Sequence, residues 1–143
     1  MSSADTVRKT VLRVHGSLLF VITTANIVII TVGYNTGRGL YGMLPAQPLG
    51  FGGLYEAYAL MFVIGVALWL GSTTGRPRLF NVVGLLAHVP IIIGNLFFPG
   101  VFAEVAGGHV SLISLPIHLT LGGAELFSIL WRGRATSTAD AVA

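Results

Sequence analysis

Residues 79–98 read LFNVVGLLAHVPIIIGNLFF, an apolar stretch in which three polar side chains recur every seven residues. They are Asn81, His88 and Asn95. Seven residues make about two turns of an α-helix, so the three side chains share one helix face. The stretch is close to the length of about 20 residues that crosses a hydrocarbon core. It predicts a membrane-spanning helix with a polar seam.

A second stretch repeats this spacing with Ser111, His118 and Glu125, and the composition of the whole chain agrees with a membrane protein. Of its 143 residues, 54% are hydrophobic and 9% are charged, whereas soluble domains carry about 25% charged residues. We therefore predict an all-α, integral membrane four-helix bundle that forms a single transmembrane domain over residues 1–143. The predicted spans cover approximately 14–33, 52–71, 79–98 and 110–131.

Basic residues flank these spans unevenly. Of the eight Lys and Arg residues, only Arg38 falls in the loop between the first two spans. The others precede the first span, separate the second from the third, or follow the fourth. By the positive-inside rule, both termini and the middle loop are predicted to be cytoplasmic in a multi-pass protein of the cell membrane. Because the charges flank spans and do not cluster on a soluble face, no nucleic-acid partner is expected.

Three segments outside the spans carry further expectations. The first span follows basic residues as a signal peptide would, but it is too long for a signal-peptide core, and we expect it to be retained. The segment up to Leu12 and the tail 134–143 are predicted to be poorly ordered. The loop 34–53 is rich in Gly, Pro and aromatic residues, and we interpret it as an interfacial connector or as a lid over the bundle.

Depth along the spans sorts the polar residues into levels, because each helical residue rises about 1.5 Å. His88 and His118 fall near the bilayer midplane. The predicted outer level holds Asn26, Glu56 and Asn95, and the predicted inner level holds His15, Asn81 and Glu125.

These residues have structural and functional interpretations. A carboxylate in hydrocarbon must be neutral, paired or hydrated, which makes Glu56 and Glu125 the strongest functional candidates. Glu56 could instead lean into the outer interface. Asn and Ser commonly form interhelical hydrogen bonds of about 0.6 kcal/mol each. His15, close to an interface, could be satisfied by a backbone carbonyl.

A buried carboxylate and a histidine suit general acid–base catalysis. The leading hypothesis is a protein that binds a lipophilic small molecule and performs isomerase, cyclase or hydrolase chemistry on it. Glu56 and His88 would be the acid/base pair, supported by His118 and Glu125. The predicted substrate-binding residues are Asn26, Asn95 and Tyr55.

Two alternatives remain open. In the first, the protein is a quinone- or haem-linked oxidoreductase subunit whose haem b or quinone is bound by His88 and His118. In the second, it is a non-catalytic membrane partner whose seam sets helix register. The leading hypothesis requires no cofactor, and the sequence contains no His-x-x-His or Glu-x-x-His spacing for a metal ion. The expected partners are the bilayer, the lipophilic molecule and a second copy or larger membrane complex.

Residues 52–78, GGLYEAYALMFVIGVALWLGSTTGRPR, add a family resemblance. A glycine-led helix opening with Glu56, followed by a short Arg-containing loop, resembles the DoxX-like group of small four-span membrane proteins. The resemblance lies mainly in the second and third spans. It implies a four-helix membrane protein, with some members linked to quinone-coupled oxidation. Only Glu56 matches a position of that group, whereas His88, His118 and Glu125 match none of its motifs.

Overall fold

The computed structural model describes residues 2–100 and 109–133, except for the side chains of 109–112. All regular structure in these ranges is helical, which confirms the all-α prediction. Each of the four long helices contains a stretch long and apolar enough to cross a membrane. The helices are α1 (Ser3–Thr36), α2 (Pro48–Gly71), α3 (Pro77–Phe97) and α4 (His109–Leu130), with a 3-10 turn at Leu44–Ala46.

The amino-terminal segment differs from its prediction, because α1 is helical from Ser3 onwards. The Ser2 hydroxyl caps this helix by accepting a hydrogen bond from the Asp5 N–H at 3.2 Å. Leu12 is fully buried. At about 1.5 Å per residue, the 34 residues of α1 span about 50 Å, well beyond a hydrocarbon core of about 30 Å.

Arg8 explains why the first turns are ordered. Its Nε donates to the carbonyl of Ser128 at 3.2 Å and its Nη2 donates to the carbonyl of Trp131 at 3.0 Å. These carbonyls belong to the last turn of α4 and the residue beyond it, where backbone acceptors lack helical partners. A cation there is favoured by the helix dipole. Arg8 therefore joins the start of α1 to the end of α4.

Helices α1 and α3 each contact all three of the other long helices, whereas α2 and α4 are not neighbours within the described ranges. The contact between α1 and α2 depends on glycine. A Cβ built on Gly16 would lie 2.6 Å from the carbonyl oxygen of Gly65, so the two backbones approach closely. Leu12, Leu19 and Leu68 form a buried cluster in this interface.

The bundle has two distinguishable ends. We call one of them the inner end. There, Arg13 Nε donates to the Ser72 hydroxyl at 3.2 Å, which places the start of α1 beside the α2–α3 turn. The end of α4 lies at the same end, because Arg8 bonds to it. The segments carrying most of the basic residues thus share one end. At the opposite, outer end, Gly37 closes α1 in a left-handed conformation (φ 64°), and the following loop folds back.

The outer loop packs against the bundle. Tyr41 and Leu44 are buried with Ile30 of α1 in one apolar cluster. A Cβ on Gly33 would lie 2.8 Å from the carbonyl carbon of Tyr41, so only glycine permits this approach. This packing supports the lid interpretation over that of a simple connector.

Candidate functional site: a buried carboxylate and three histidines

The carboxylate of Glu125 is the most deeply buried charge-bearing group of the described residues, with 0% exposure. Its Oε1 lies 2.5 Å from Nδ1 of His15 on α1. Its Oε2 accepts a hydrogen bond at 2.6 Å from Nδ2 of Asn81 on α3. Both carboxylate oxygens are therefore partnered by neighbouring helices, as a carboxyl group inside a membrane bundle requires.

Two further histidines extend the contact from Glu125. Nε2 of His15 lies 2.8 Å from Nε2 of His88. Nδ1 of His88 lies 2.6 Å from Nδ1 of His118 on α4. The result is an unbroken line of hydrogen bonds, Glu125–His15–His88–His118, which we call the histidine chain.

Small residues make room for the histidine chain where α3 faces α4. A Cβ on Gly84, one turn before His88, would lie 2.7 Å from Oε1 of Glu125. A Cβ on Gly122 would meet the Cβ of His88 at 3.4 Å, an ordinary contact. Only a glycine at position 84 allows the carboxylate to reach its two partners.

The histidine chain has two complete hydrogen-bond arrangements, since each gap holds one proton and a neutral imidazole has one N–H. With Glu125 ionised, His15 donates from Nδ1 to the carboxylate, His88 donates from Nε2 to His15, and His118 donates from Nδ1 to His88. Nε2 of His118 then carries a lone pair. With Glu125 protonated, every bond reverses and Nε2 of His118 carries the proton. The two arrangements differ by one proton, taken up or released at His118.

His118 also lines a cavity of about 250 Å³ at the outer end of the bundle. Polar groups from three helices and the outer loop reach this space, which we call the outer cavity. Its walls are Ile22, Asn26, Leu40, Tyr41, Tyr58, Ile113, Ser114, Ile117 and His118. The histidine chain thus joins a sealed carboxylate to a cavity with both apolar and hydrogen-bonding walls.

The inner end of the histidine chain is polar as well. Asn81, fully buried, has a second contact at 3.4 Å from its Nδ2 to the backbone carbonyl of Arg8. Its Oδ1 has no hydrogen-bond partner among the described residues. A buried amide oxygen without a partner commonly marks a place for an ordered water.

Two of the three predicted levels are found. His15, Asn81 and Glu125 meet as the inner level, and His88 meets His118 in the middle. The predicted outer level does not assemble in the same way. Its amides bond to their own helices, Asn26 to the carbonyl of Ile22 and Asn95 to that of Ile91.

The placement of Glu56 differs from its prediction as an acid/base partner of His88. Glu56 lies on the exposed surface of α2, and both ring nitrogens of His88 bond to other histidines. The neighbouring Tyr55, predicted to bind substrate, is 43% exposed. Of the predicted substrate-binding residues, only Asn26 lines the outer cavity. The side chain of Ser111 and the tail 134–143 lie outside the described residues.

His15 is the member of the histidine chain that the sequence placed on the inner level but did not name as a catalytic candidate. Its position near the start of the first span suggests a residue satisfied by backbone, yet it connects Glu125 to His88. The sequence did contain a clue to this contact, because His15 and Glu125 are predicted to lie at the same depth in the bilayer. Two ionisable residues at one depth on different helices are expected to pair inside a bilayer.

The geometry also bears on cofactors. Axial histidines of a haem approach the iron from opposite faces of the porphyrin, whereas the Nδ1 atoms of His88 and His118 are 2.6 Å apart and share a hydrogen bond. A haem between these two rings does not fit this arrangement. Within the described ranges, the four side chains form a line and do not converge on a common point where a metal ion could be held.

Comparison of the chain with protein-family models, with curated proteins and with solved structures gave no match. The resemblance to the DoxX-like group therefore stays a prediction.

Proposed function

We propose that this protein binds a lipophilic molecule in the outer cavity and catalyses proton transfer on it, as an isomerase of a membrane-soluble substrate. The observation that carries the proposal is the histidine chain, which links the fully buried carboxylate of Glu125 to an imidazole on the cavity wall. His118 is the residue that touches the substrate. His15, His88 and Glu125 act through it.

The proposed reaction is redox-neutral. With Glu125 ionised, Nε2 of His118 removes a proton from a carbon of the substrate, and the electron pair of the broken C–H bond remains on the substrate as an enolate or shifted double bond. The Nδ1 proton of His118 moves to His88, the Nε2 proton of His88 moves to His15, and the Nδ1 proton of His15 moves to Glu125. The proton on Nε2 of His118 exchanges with water while the substrate anion is bound, and reversal of these steps then returns a solvent-derived proton to a different carbon of the same molecule.

Each part of the site contributes to this chemistry. The histidine chain spreads the arriving proton over several groups, so no imidazolium remains beside the substrate in a low-dielectric site. Tyr58 and Asn26 line the outer cavity, and a hydroxyl or amide N–H from these side chains would donate to an oxygen on which negative charge develops. The apolar part of the walls lowers the local dielectric constant, which strengthens both effects.

The orientation in the membrane belongs to the same proposal. We place both termini and the α2–α3 turn in the cytoplasm, because six of the seven Lys and Arg residues in the described ranges lie at the inner end. The outer cavity would then open on the opposite side of the cell membrane.

The proposal is tested by measuring how much deuterium from D2O becomes bound to carbon atoms of a lipid substrate. Purified protein is incubated in D2O with vesicles made from a total lipid extract of the expression host, and the extracted lipids are analysed by mass spectrometry after back-exchange in H2O. We expect a lipid species that gains one non-exchangeable deuterium only when the protein is present. Glu125→Gln should reduce that gain at least 10-fold, whereas Glu56→Gln, a matched change on the protein surface, should not.

Two outcomes would overturn the proposal. Incorporation that survives His118→Ala would show that the imidazole at the cavity takes no part. Loss in Glu56→Gln with retention in Glu125→Gln would move the chemistry to the exposed carboxylate of α2.

A quinone-linked function is the second candidate, because the terminus of the histidine chain at the cavity would equally supply a proton to a reduced quinone oxygen. The electrons would come from a redox partner protein. Quinone in an organic extract of the purified protein, lost in His118→Ala, would favour this function over isomerisation. A non-catalytic role predicts neither deuterium gain nor quinone, together with lower thermal stability on alanine substitution of Asn81 or Asn95.

A further inference from the structure

A largely apolar space borders the outer cavity. It is a groove of about 360 Å³ between α1 and α4, and we call it the α1–α4 groove. Leu18 and Ile117 on its walls are 42% and 38% exposed, so the groove opens on the protein surface that faces lipid. The complete lining is Leu18, Ile22, Pro116, Ile117, Thr120 and Leu121.

The α1–α4 groove and the outer cavity share two walls. Ile22 and Ile117 line both spaces. Because His118 follows Ile117 on α4 and lines the outer cavity, a molecule lying past the two isoleucines would extend from the lipid-facing surface to the end of the histidine chain.

Pro116 favours an opening at this place. A proline inside a helix cannot donate the backbone hydrogen bond to the carbonyl four residues earlier, and its ring displaces that carbonyl, which bends the helix. Pro116 lies on the groove wall, two residues before His118. A bend of α4 at this proline would widen the space between α4 and α1.

The volumes indicate what each space can hold. Sites that bury a whole small-molecule ligand usually measure about 300–1,000 Å³, and the outer cavity, at about 250 Å³, is below that range. It accommodates a head group only. At ~30 Å³ for each water-sized group, the α1–α4 groove holds about twelve methylenes, whereas a helix 10–12 Å across would not enter it.

We infer that the α1–α4 groove binds the hydrocarbon chain of a single-chain amphiphile whose head group occupies the outer cavity. The inference rests on the proposed function and specifies its substrate class, a long-chain molecule with a hydroxyl or carbonyl oxygen in its head. Ser114, Tyr41 and Tyr58 offer hydroxyl groups to that oxygen. The substrate reaches His118 sideways from the bilayer, past Ile22 and Ile117.

The test uses a photoreactive probe of defined structure, hexadecanol with a diazirine in the middle of its chain. Protein reconstituted in phosphatidylcholine vesicles is irradiated with the probe, and the adducts are located by peptide mass spectrometry. We expect adducts concentrated on residues 18–22 and 117–121. Ile22→Trp, which fills the groove, should reduce them at least fivefold, whereas Val28→Trp, at a position of α1 that is 56% exposed and outside the groove, should leave them unchanged.

Leu18→Trp is a second blocking variant on the same groove in case Ile22→Trp does not fold, and size-exclusion elution and helical circular dichroism identify the folded variants. Adducts spread evenly over the exposed leucines of all four helices would overturn the inference. So would groove adducts that persist in a folded Ile22→Trp or Leu18→Trp protein.

The same experiment separates this inference from the proposed function. His118→Ala should abolish deuterium incorporation while the groove adducts remain. Groove adducts without any deuterium incorporation in the wild type would refute the isomerase function alone. Deuterium incorporation with evenly spread adducts would refute the groove alone.

Discussion

Gly84→Ala provides a sharp test of the histidine chain, because the change adds one methyl group directly beside Glu125. The added Cβ would lie 2.7 Å from Oε1 of Glu125, whereas ordinary contacts begin at 3.4 Å. The carboxylate must therefore retreat by about 0.7 Å from the position in which it bonds to two neighbours. A free glutamate would move without loss, but this one is held by His15 at 2.5 Å and by Asn81 at 2.6 Å.

The size of the effect follows from those two hydrogen bonds. A retreat of about 0.7 Å is enough to carry the bond to His15 to the limit of about 3.2 Å. Interhelical hydrogen bonds in membrane proteins contribute about 0.6 kcal/mol on average and about 1.7 kcal/mol at most. If both bonds are lost, the free energy of unfolding falls by about 1–3 kcal/mol. Replacing a helical glycine by alanine favours the helix by about 0.5–1 kcal/mol, which partly offsets the loss.

Gly123→Ala isolates the effect. A Cβ on Gly123, in α4 two residues before Glu125, would have nothing within 4 Å, so this variant gains the helix propensity without touching the carboxylate. The assay is reversible unfolding in mixed detergent and SDS micelles, followed by circular dichroism. We expect Gly84→Ala to be about 1–3 kcal/mol less stable than Gly123→Ala and to lose deuterium incorporation. Equal stability of the two variants, with incorporation retained, would refute the contact between Glu125 and its partners.

Three further predictions use the same preparations. Glu125→Gln keeps an oxygen for His15 and should melt within a few degrees of the wild type while its deuterium incorporation falls; unfolding of this variant in detergent would show that the charge itself is structural. Gly16→Ala should be less stable than Gly53→Ala by about 1–3 kcal/mol, since its Cβ would lie 2.6 Å from the Gly65 backbone, whereas nothing lies within 4 Å of a Cβ on Gly53. Because the chain has no cysteine, Arg38→Cys and Arg76→Cys report topology directly. A membrane-impermeant maleimide added to intact cells should label only the first, and labelling of the second would invert the proposed orientation.

The spans could be predicted from the sequence because hydrophobic length is set by the bilayer and hardly by tertiary contacts. Predicted spans 79–98 and 110–131 differ by one or two residues from α3 and α4. The order of the amino-terminal segment could not be predicted from the sequence. It depends on hydrogen bonds from Arg8 to carbonyls that lie 120 residues or more further along the chain. No local pattern records such a contact.

Helix rotation explains why Glu56 was misplaced. Helix α2 is apolar around nearly its whole circumference, so its residue pattern does not indicate which face turns inward. The close packing of Gly65 against Gly16 decides the rotation and leaves Glu56 on the surface. In α3, by contrast, the seven-residue polar spacing marks one face, and the three residues on it are all buried.

By itself the sequence determined the number of helices, the spans and the depth of each polar residue, because the bilayer thickness and the 1.5 Å rise per residue convert position into height. Depth alone brought His15, Asn81 and Glu125 to one level and His88 and His118 to another. Only the tertiary structure decided that His15 joins the two levels, and that the histidine chain ends at a cavity under the outer loop. Those contacts depend on how four helices rotate and approach one another, and side-chain packing between helices sets that geometry.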